Sequence, residues 1–288
     1  MLRFLSKLQG GVPAHISLCK RSTSAVKTFF WKFPIPEHNT TISQEFLQLF
    51  SMAKNAPKRK FTVCVEGNIG SGKTMLLKYF SEKEDVSVME EPVVKWRNLH
   101  GHNLLEMMYK DPCRWAHLFQ SYVQLTMMEQ HLRPSMTAVK MMERSLYSAR
   151  YCFVENLFHS GKICEAEYLV YNEWFKMISK NVDIGVDLIV YLKTDPKVVH
   201  ERTKHRGRSE EQQIPLEYLE NLHKYYEEWI VQEKFPVPAP VLVLDANEDL
   251  LEMKSKFEKY SAQILCSKSF EESLLAISKE EEKIKVTL

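Results

Sequence analysis

The sequence predicts an α/β fold: a five-stranded parallel sheet with helices on both faces. Five short apolar runs alternate with longer amphipathic stretches, and a glycine-rich loop joins the first run to the first stretch. The runs are Phe61–Val65, Val86–Met89, Ala138–Met142, Asp187–Leu192 and Pro240–Leu244. Each is apolar on nearly consecutive residues, as strands buried on both faces are. The helical stretches begin with the segment after Lys73 and continue over Pro112–His131, Tyr147–His159, Glu165–Lys180, Pro196–His205, Pro215–Gln232 and a last one near Glu248–Ile264. Strands alternating with helices imply right-handed crossovers and a parallel sheet. No internal repeat or linker divides the residues from Phe61 onward, so one domain is expected over 51–265.

Charge separates the two ends from this body. Residues 1–36 carry Arg3, Lys7, Lys20, Arg21, Lys27 and Lys32 and no acid. Of 39 basic residues, the 33 that remain face 37 acidic ones, so the net charge of +2 becomes −4 outside the leader. A mildly acidic body argues against binding nucleic acid through a basic surface. The leader has Ser and Thr and places Leu2, Leu5 and Leu8 at helical spacing, the pattern of a mitochondrial transit peptide. Residues 1–50 are therefore expected to be transit peptide and connector, and a basic tail without targeting function is the alternative. Residues 266–288 form a charged tail with weak patterning. No apolar run approaches the roughly 18–20 residues that span a bilayer, so no membrane segment is expected. The six cysteines form no Cys-x-x-Cys pair and read as reduced, mostly buried thiols.

Gly67-Asn68-Ile69-Gly70-Ser71-Gly72-Lys73-Thr74 is a complete Walker A sequence between a strand and a helix-forming stretch, the context that the motif requires. Glycines let successive backbone N–H groups turn toward phosphate oxygens at a helix N-terminus. Lys73 is expected to neutralise β- and γ-phosphate charge, and the Thr74 hydroxyl to ligate Mg²⁺, with ATP as phosphate donor.

Two further elements leave the carboxyl edge of the predicted sheet, where ligands of such sheets bind, and an arginine cluster lies at the end of a helix. Glu143-Arg144 follows the third strand and places Glu143 toward Mg²⁺ and Arg144 toward the transferring phosphate or its acceptor; a solvated ion pair is the plainer alternative. Glu90-Glu91-Pro92 follows the second strand. A kinase acting on an alcohol benefits from a carboxylate that accepts the hydroxyl proton, and Glu91, before a rigid proline, is the expected base, with Glu90 its competitor. Arg202, Arg206 and Arg208, with Gly207 among them, suit a lid whose guanidinium groups close over the triphosphate, although charge runs are usually solvated surface.

Taken together, Gly67–Thr74, Glu91-Pro-Val-Val-Lys-Trp96, Phe119-Gln-Ser-Tyr122, Glu143-Arg-Ser145, Ser148-Ala-Arg-Tyr151 and Arg206-Gly-Arg-Ser-Glu-Glu211 resemble the deoxynucleoside kinase family, which has the P-loop kinase fold with an arginine-rich lid. The resemblance runs from about Phe61 to Ala246 and is nearest to the thymidine-accepting, mitochondrial members. It implies phosphorylation of the 5′-hydroxyl of a deoxynucleoside in nucleotide salvage and DNA precursor supply. It implies Glu91 as base with Arg144 beside it, Tyr109 and Glu211 on the 3′-hydroxyl, and Gln120 on the base edge. Trp96 and Phe153 are implied to line or stack on the base, with Leu105, Phe119, Val123 and Met127 as further substrate contacts. Small Ala149 and adaptable Met127 resemble members that accept the thymine methyl group, which implies thymidine, deoxyuridine and deoxycytidine as acceptors. Glu90 stands where Thr is common in the family, and Gly207 where a larger residue is common. A homodimer is the usual family assembly.

Gln120 also makes chemical sense by itself, because a carboxamide offers a donor beside an acceptor and can pair with either pyrimidine edge. With Val123 and Met127 on the same helical stripe, ordinary core packing is the competing reading. Two rival functions remain. A nucleoside-monophosphate kinase shares the loop and lid but should add arginines for an acceptor phosphate and has little use for a base. A catalytically silent structural subunit would have lost Lys73, Thr74, Glu91 or the lid arginines, all of which are present.

Overall fold

The computed structural model describes residues 60–211 and 214–265. The expected transit peptide and connector over 1–50, the first residues of the expected domain over 51–59 and the charged tail over 266–288 lie outside the described residues. Five strands are present: β1 (Phe61–Glu66), β2 (Val86–Met89), β3 (Val139–Glu143), β4 (Leu188–Lys193) and β5 (Val241–Asp245). All neighbours run parallel, in the order β2-β3-β1-β4-β5. Chain order and spatial order reverse around β1, which creates the crevice at the carboxyl ends of β1 and β3 where a ligand fits.

The sheet is buried on both faces because its strands alternate between two apolar clusters. Val63 and Val65 of β1, with Val139 and Met141 of β3, pack on one side against Leu76, Leu77 and Phe80 of α1 (Lys73–Ser81). Cys64, Met142, Ile189 and Tyr191 face the other side, where the larger helices lie. Those helices include α2 (Val93–Arg97), α3 (Leu104–Lys110) and α4 (Pro112–Leu132). Pro112 occupies the first turn of α4, where its missing N–H costs nothing, and Asp111 caps the helix by accepting from the Arg114 N–H at 3.3 Å.

After β3, Leu146–Ser148, a wider π turn over Ala149–Val154 and Glu155–His159 run on as one helical segment, α5. It is followed by α6 (Glu165–Asn181) and, beyond β4, α7 (Pro196–Arg206). Gly207 ends α7 in the left-handed conformation (φ 69°) that favours glycine, and a 3₁₀ turn follows at Ser209–Glu211. Next come α8 (Leu216–Tyr226, continued as a π turn over Glu227–Val231), β5, α9 (Leu250–Lys259) and α10 (Ser261–Ile264).

All five strands lie where the hydropathy pattern places them, to within one residue. Two helices do not: α2 and α3 occupy a stretch that carries no helical expectation. No helix among the described residues is long and apolar enough to cross a membrane. Of the four thiols among the described residues, Cys64 and Cys152 are buried and Cys113 and Cys164 are exposed.

Candidate active site

The loop after β1 is built by close approach. A Cβ on Gly67 (φ 146°) would lie 2.7 Å from Ser71 Oγ and 2.8 Å from the Leu192 carbonyl, so a larger residue cannot sit there without moving backbone. Asn68 locks the turn: its Nδ2 donates to the Leu219 carbonyl at 2.8 Å and its Oδ1 accepts from the Ile69 N–H at 2.8 Å. The Asn68 side chain therefore anchors the loop to α8. Lys73 is buried and folds back on the loop, donating to the Gly67 and Asn68 carbonyls at 3.2 and 2.7 Å. Burial, with Arg144 nearby, pulls its ammonium down to about 7 against the opposing pull of Glu143, Glu91 and Glu66.

Thr74, the second residue of α1, donates its hydroxyl to both oxygens of Glu143 at 3.1 Å. Burial raises the Glu143 carboxyl above its ordinary value, with the charge of Glu91 adding to the effect. One hydroxyl and one carboxylate converging at the phosphate loop fit Mg²⁺, which takes oxygen ligands and keeps several waters beside substrate phosphates. The described residues hold no cluster of three or more His, Cys, Asp or Glu that would make a dedicated metal cage.

Arg144 opposes this pair. It is a non-glycine residue at φ 61°, a strained conformation held by its own N–H donating to the Val65 carbonyl at 2.9 Å. The strain turns the guanidinium into the crevice, where Nη1 donates to Glu91 Oε1 at 2.5 Å and the charge lies 4.8 Å from the Phe153 ring. Burial is the largest single influence and works against its charge, but Glu91, Tyr226 and Glu143 together outweigh burial and keep the guanidinium firmly protonated. Glu91 lines the crevice, whereas Glu90 is exposed, so the structure separates the two candidate bases. Gln130 fixes their loop by donating Nε2 to the Glu90 carbonyl at 3.2 Å.

An apolar pocket opens from Glu91 toward α4. Trp96, Leu105, Tyr109, Phe119, Gln120, Val123, Met127, Ala149 and Phe153 all line it. Trp96 is held in place by its indole N–H donating to Thr126 Oγ1 at 2.8 Å and by an edge contact with Phe119, ring centres 5.7 Å apart. Gln120 is 2% exposed, yet its Oε1 has no hydrogen-bond partner in the protein. A buried carbonyl oxygen left unpaired costs stability, which distinguishes this residue from ordinary core packing.

The three arginines of the predicted lid divide. Arg206 Nε and Arg208 Nη1 each donate to Glu211 at 3.1 Å, and both residues line the crevice. Arg202 does not join them. It donates Nη1 to the Ala246 carbonyl at 2.8 Å and Nη2 to those of Asn247 and Glu248 at 3.2 and 2.7 Å. Its guanidinium braces the loop after β5, apart from the other two arginines. A second tie crosses the crevice mouth, where Arg97 at the end of α2 pairs with Glu210 of the 3₁₀ turn.

Sequence reasoning misses six contributors. Val93, Met108, Ser145, Ser148 and Tyr218 complete the pocket wall. Glu66, the last residue of β1, is fully buried beneath the site, and burial pushes its carboxyl up to about 7 although Ser145, Ser148, Arg144 and Lys73 oppose the shift. Its signal in the sequence is a lone acid ending an otherwise apolar strand.

Comparison with known proteins agrees with this geometry. A sequence model described as deoxynucleoside kinase matches residues 63–267. The chain is 52% identical over 209 residues to human mitochondrial thymidine kinase 2, covering 72% of this chain and 79% of that protein. It is 38% identical over 232 residues to chicken deoxycytidine kinase 2, covering 70% and 88%. To mouse deoxycytidine kinase it is 35% identical over 218 residues, covering 65% and 84%.

Proposed function

The chain belongs to the deoxynucleoside kinase family, and from that premise we propose that it transfers the γ-phosphoryl group of ATP to the 5′-hydroxyl of pyrimidine deoxynucleosides, namely thymidine, deoxyuridine and deoxycytidine. The observation that carries the choice of acceptor is Gln120, whose unpaired Oε1 in a buried apolar pocket needs a polar edge to bond. A flat pyrimidine between Trp96 and Phe153 supplies that edge, and the small Ala149 leaves space beside it for a methyl group. The identity to a thymidine kinase exceeds that to the deoxycytidine kinases, 52% against 38% and 35%, in the same direction.

Glu91 accepts the proton of the 5′-hydroxyl as the phosphoryl group arrives, and Arg144 holds its carboxylate in line. Lys73 and the backbone of Gly67–Thr74 bind the donor phosphates, and Arg206 and Arg208 exchange Glu211 for phosphate oxygens as the lid settles. Glu211 and Tyr109 then bind the sugar 3′-hydroxyl. Thr74 and Glu143 are the residues that would hold Mg²⁺, which when bound to ATP neutralises charge on the β- and γ-phosphates.

The mitochondrion is the proposed location, supported by the acid-free basic leader of residues 1–36 and by the mitochondrial designation of the human relative. There the activity would supply DNA precursors by salvage. The domain order proposed is a leader and connector over 1–50, the kinase domain over 51–265 and a tail over 266–288. A homodimer is also proposed, through α4 and α6. Their outer face exposes Leu125, Val170 and Trp174 beside one another, an apolar patch that a second copy would cover.

The test is a rate panel with ATP and Mg²⁺ against pyrimidine and purine deoxynucleosides. Thymidine, deoxyuridine and deoxycytidine are expected as acceptors, and deoxyguanosine turned over as efficiently as thymidine would refute the reading. If Glu91→Gln and Lys73→Ala both leave the rate unchanged, the site assignment is wrong.

A further inference from the structure

Beneath Arg144 lies a second carboxylate to which the mechanism gives no task. Glu66 Oε1 accepts the Ser145 hydroxyl at 2.6 Å, and Oε2 accepts the Tyr226 hydroxyl at 3.3 Å. The Tyr226 oxygen in turn accepts from Arg144 Nε at 3.2 Å. The other side of the same guanidinium meets Glu91, so Glu91, Arg144, Tyr226 and Glu66 form one hydrogen-bonded series. Glu66 and Tyr226 are fully buried and come from distant parts of the chain, the end of β1 and the end of α8. Tyr226 is further fixed by stacking on Tyr191, ring centres 5.7 Å apart.

A carboxylate buried at the end of an apolar strand is costly, and an apolar residue of similar volume there is commonly neutral or stabilising. A purely structural acid would be expected only to anchor the neighbouring backbone, as the bond to Ser145 at the start of α5 does. The bond through Tyr226 has a different consequence. Arg144 stands on a strained backbone, and an arginine side chain has several rotatable bonds. Glu91 holds Nη1 and a long 3.4 Å bond to the Gly67 carbonyl holds Nη2, which leaves Nε and the side-chain stem to Tyr226. Holding Nε from behind removes the remaining freedom.

We propose that Glu66 and Tyr226 are positioning residues for phosphoryl transfer, which together fix the Arg144 guanidinium in register with Glu91. The inference rests on the reading of Glu91 as the base and assigns the two residues no contact with substrate. Misplacing a catalytic group by about 1 Å costs up to about a hundredfold in rate, so the expected effect is on kcat and not on donor binding.

The experiment compares Tyr226→Phe, Glu66→Gln and the double variant in the full chain, with kcat, KM for ATP and thermal midpoint measured for each and Glu91→Gln as control. Tyr226→Phe is expected to lower kcat about ten- to a hundredfold with KM for ATP within about twofold. Glu66→Gln, which keeps one oxygen acceptor, should lose less. The double variant should be no slower than Tyr226→Phe, because both act through one hydrogen-bonded series. Wild-type kcat in both single variants, or independent losses that multiply in the double variant, overturns the proposal. Should Tyr226→Phe fail to fold, Glu66→Gln decides by the same split between kcat and KM. A Glu91→Gln control that keeps full activity would instead overturn the base assignment.

Discussion

Replacing Glu66 by Gln should make the protein more stable at neutral pH, and the size of the gain can be worked from its surroundings. Burial holds this carboxyl at about 7, against 4.5 for an ordinary one. Between those two values the folded protein keeps a proton that the unfolded chain has released. Stability therefore falls as pH rises through that window, and the contribution is fully present below pH 4.5 and gone above pH 7. A gap of about 2.5 units corresponds to roughly 3 kcal/mol. Glutamine has the same shape and does not titrate, so the variant lacks this slope. The other titrating groups are shared; Lys73, whose ammonium Glu66 pulls upward, is the neighbour whose titration the substitution also moves. Urea unfolding at pH 5, 6, 7 and 8 should show the advantage of Glu66→Gln over wild type growing with pH toward about 3 kcal/mol, or roughly 6–12 °C in thermal midpoint. Parallel loss of stability by both proteins across this range would refute the reasoning. The prediction pairs with the kinetic one: a variant that is more stable and slower is what a strained, functional charge should yield.

Three other outcomes are expected. Ala149→Leu places a side chain where the thymine methyl group would lie, and overfilling a packed site by about 1–3 kcal/mol should lower kcat/KM for thymidine about ten- to a hundredfold while deoxyuridine, without the methyl, loses less; an equal loss for both nucleosides would move the methyl pocket elsewhere. Trp174→Glu introduces charge on the exposed α6 face and should convert a dimer to monomer in light scattering, and an unchanged mass would place the interface off this face. Arg97→Ala releases the 3₁₀ turn of the lid from α2, and, since this pair is partly exposed, KM for ATP should rise by no more than about fivefold with kcat little altered.

The strands were legible because burial on both faces writes them as continuous apolar runs, and the departures from that pattern are informative. Hydropathy ends the runs at Val65, Met142, Leu192 and Leu244, whereas the strands continue through Glu66, Glu143, Lys193 and Asp245. In each case a charged residue still in the sheet stops the apolar pattern one position early. Two of the four, Glu66 and Glu143, lie at the switch point where the chain order reverses, and both are charges that burial opposes. The phosphate loop, Glu91 and Arg144 could be read because backbone chemistry and strand position constrain them. The helices α2 and α3, of five and seven residues, are too short to impose a period, and the π turns in α5 and α8 leave no mark in composition. The partners of Arg202 were not legible for a different reason. It shares a helix end with Arg206, but its partners are backbone carbonyls some 45 positions away, and carbonyls have no sequence signature. Local pattern thus located the chemistry wherever the chemistry is itself local. It failed where a side chain is held by distant backbone, and it erred by one residue where charge is forced into the sheet, which is where the series from Glu66 to Glu91 begins.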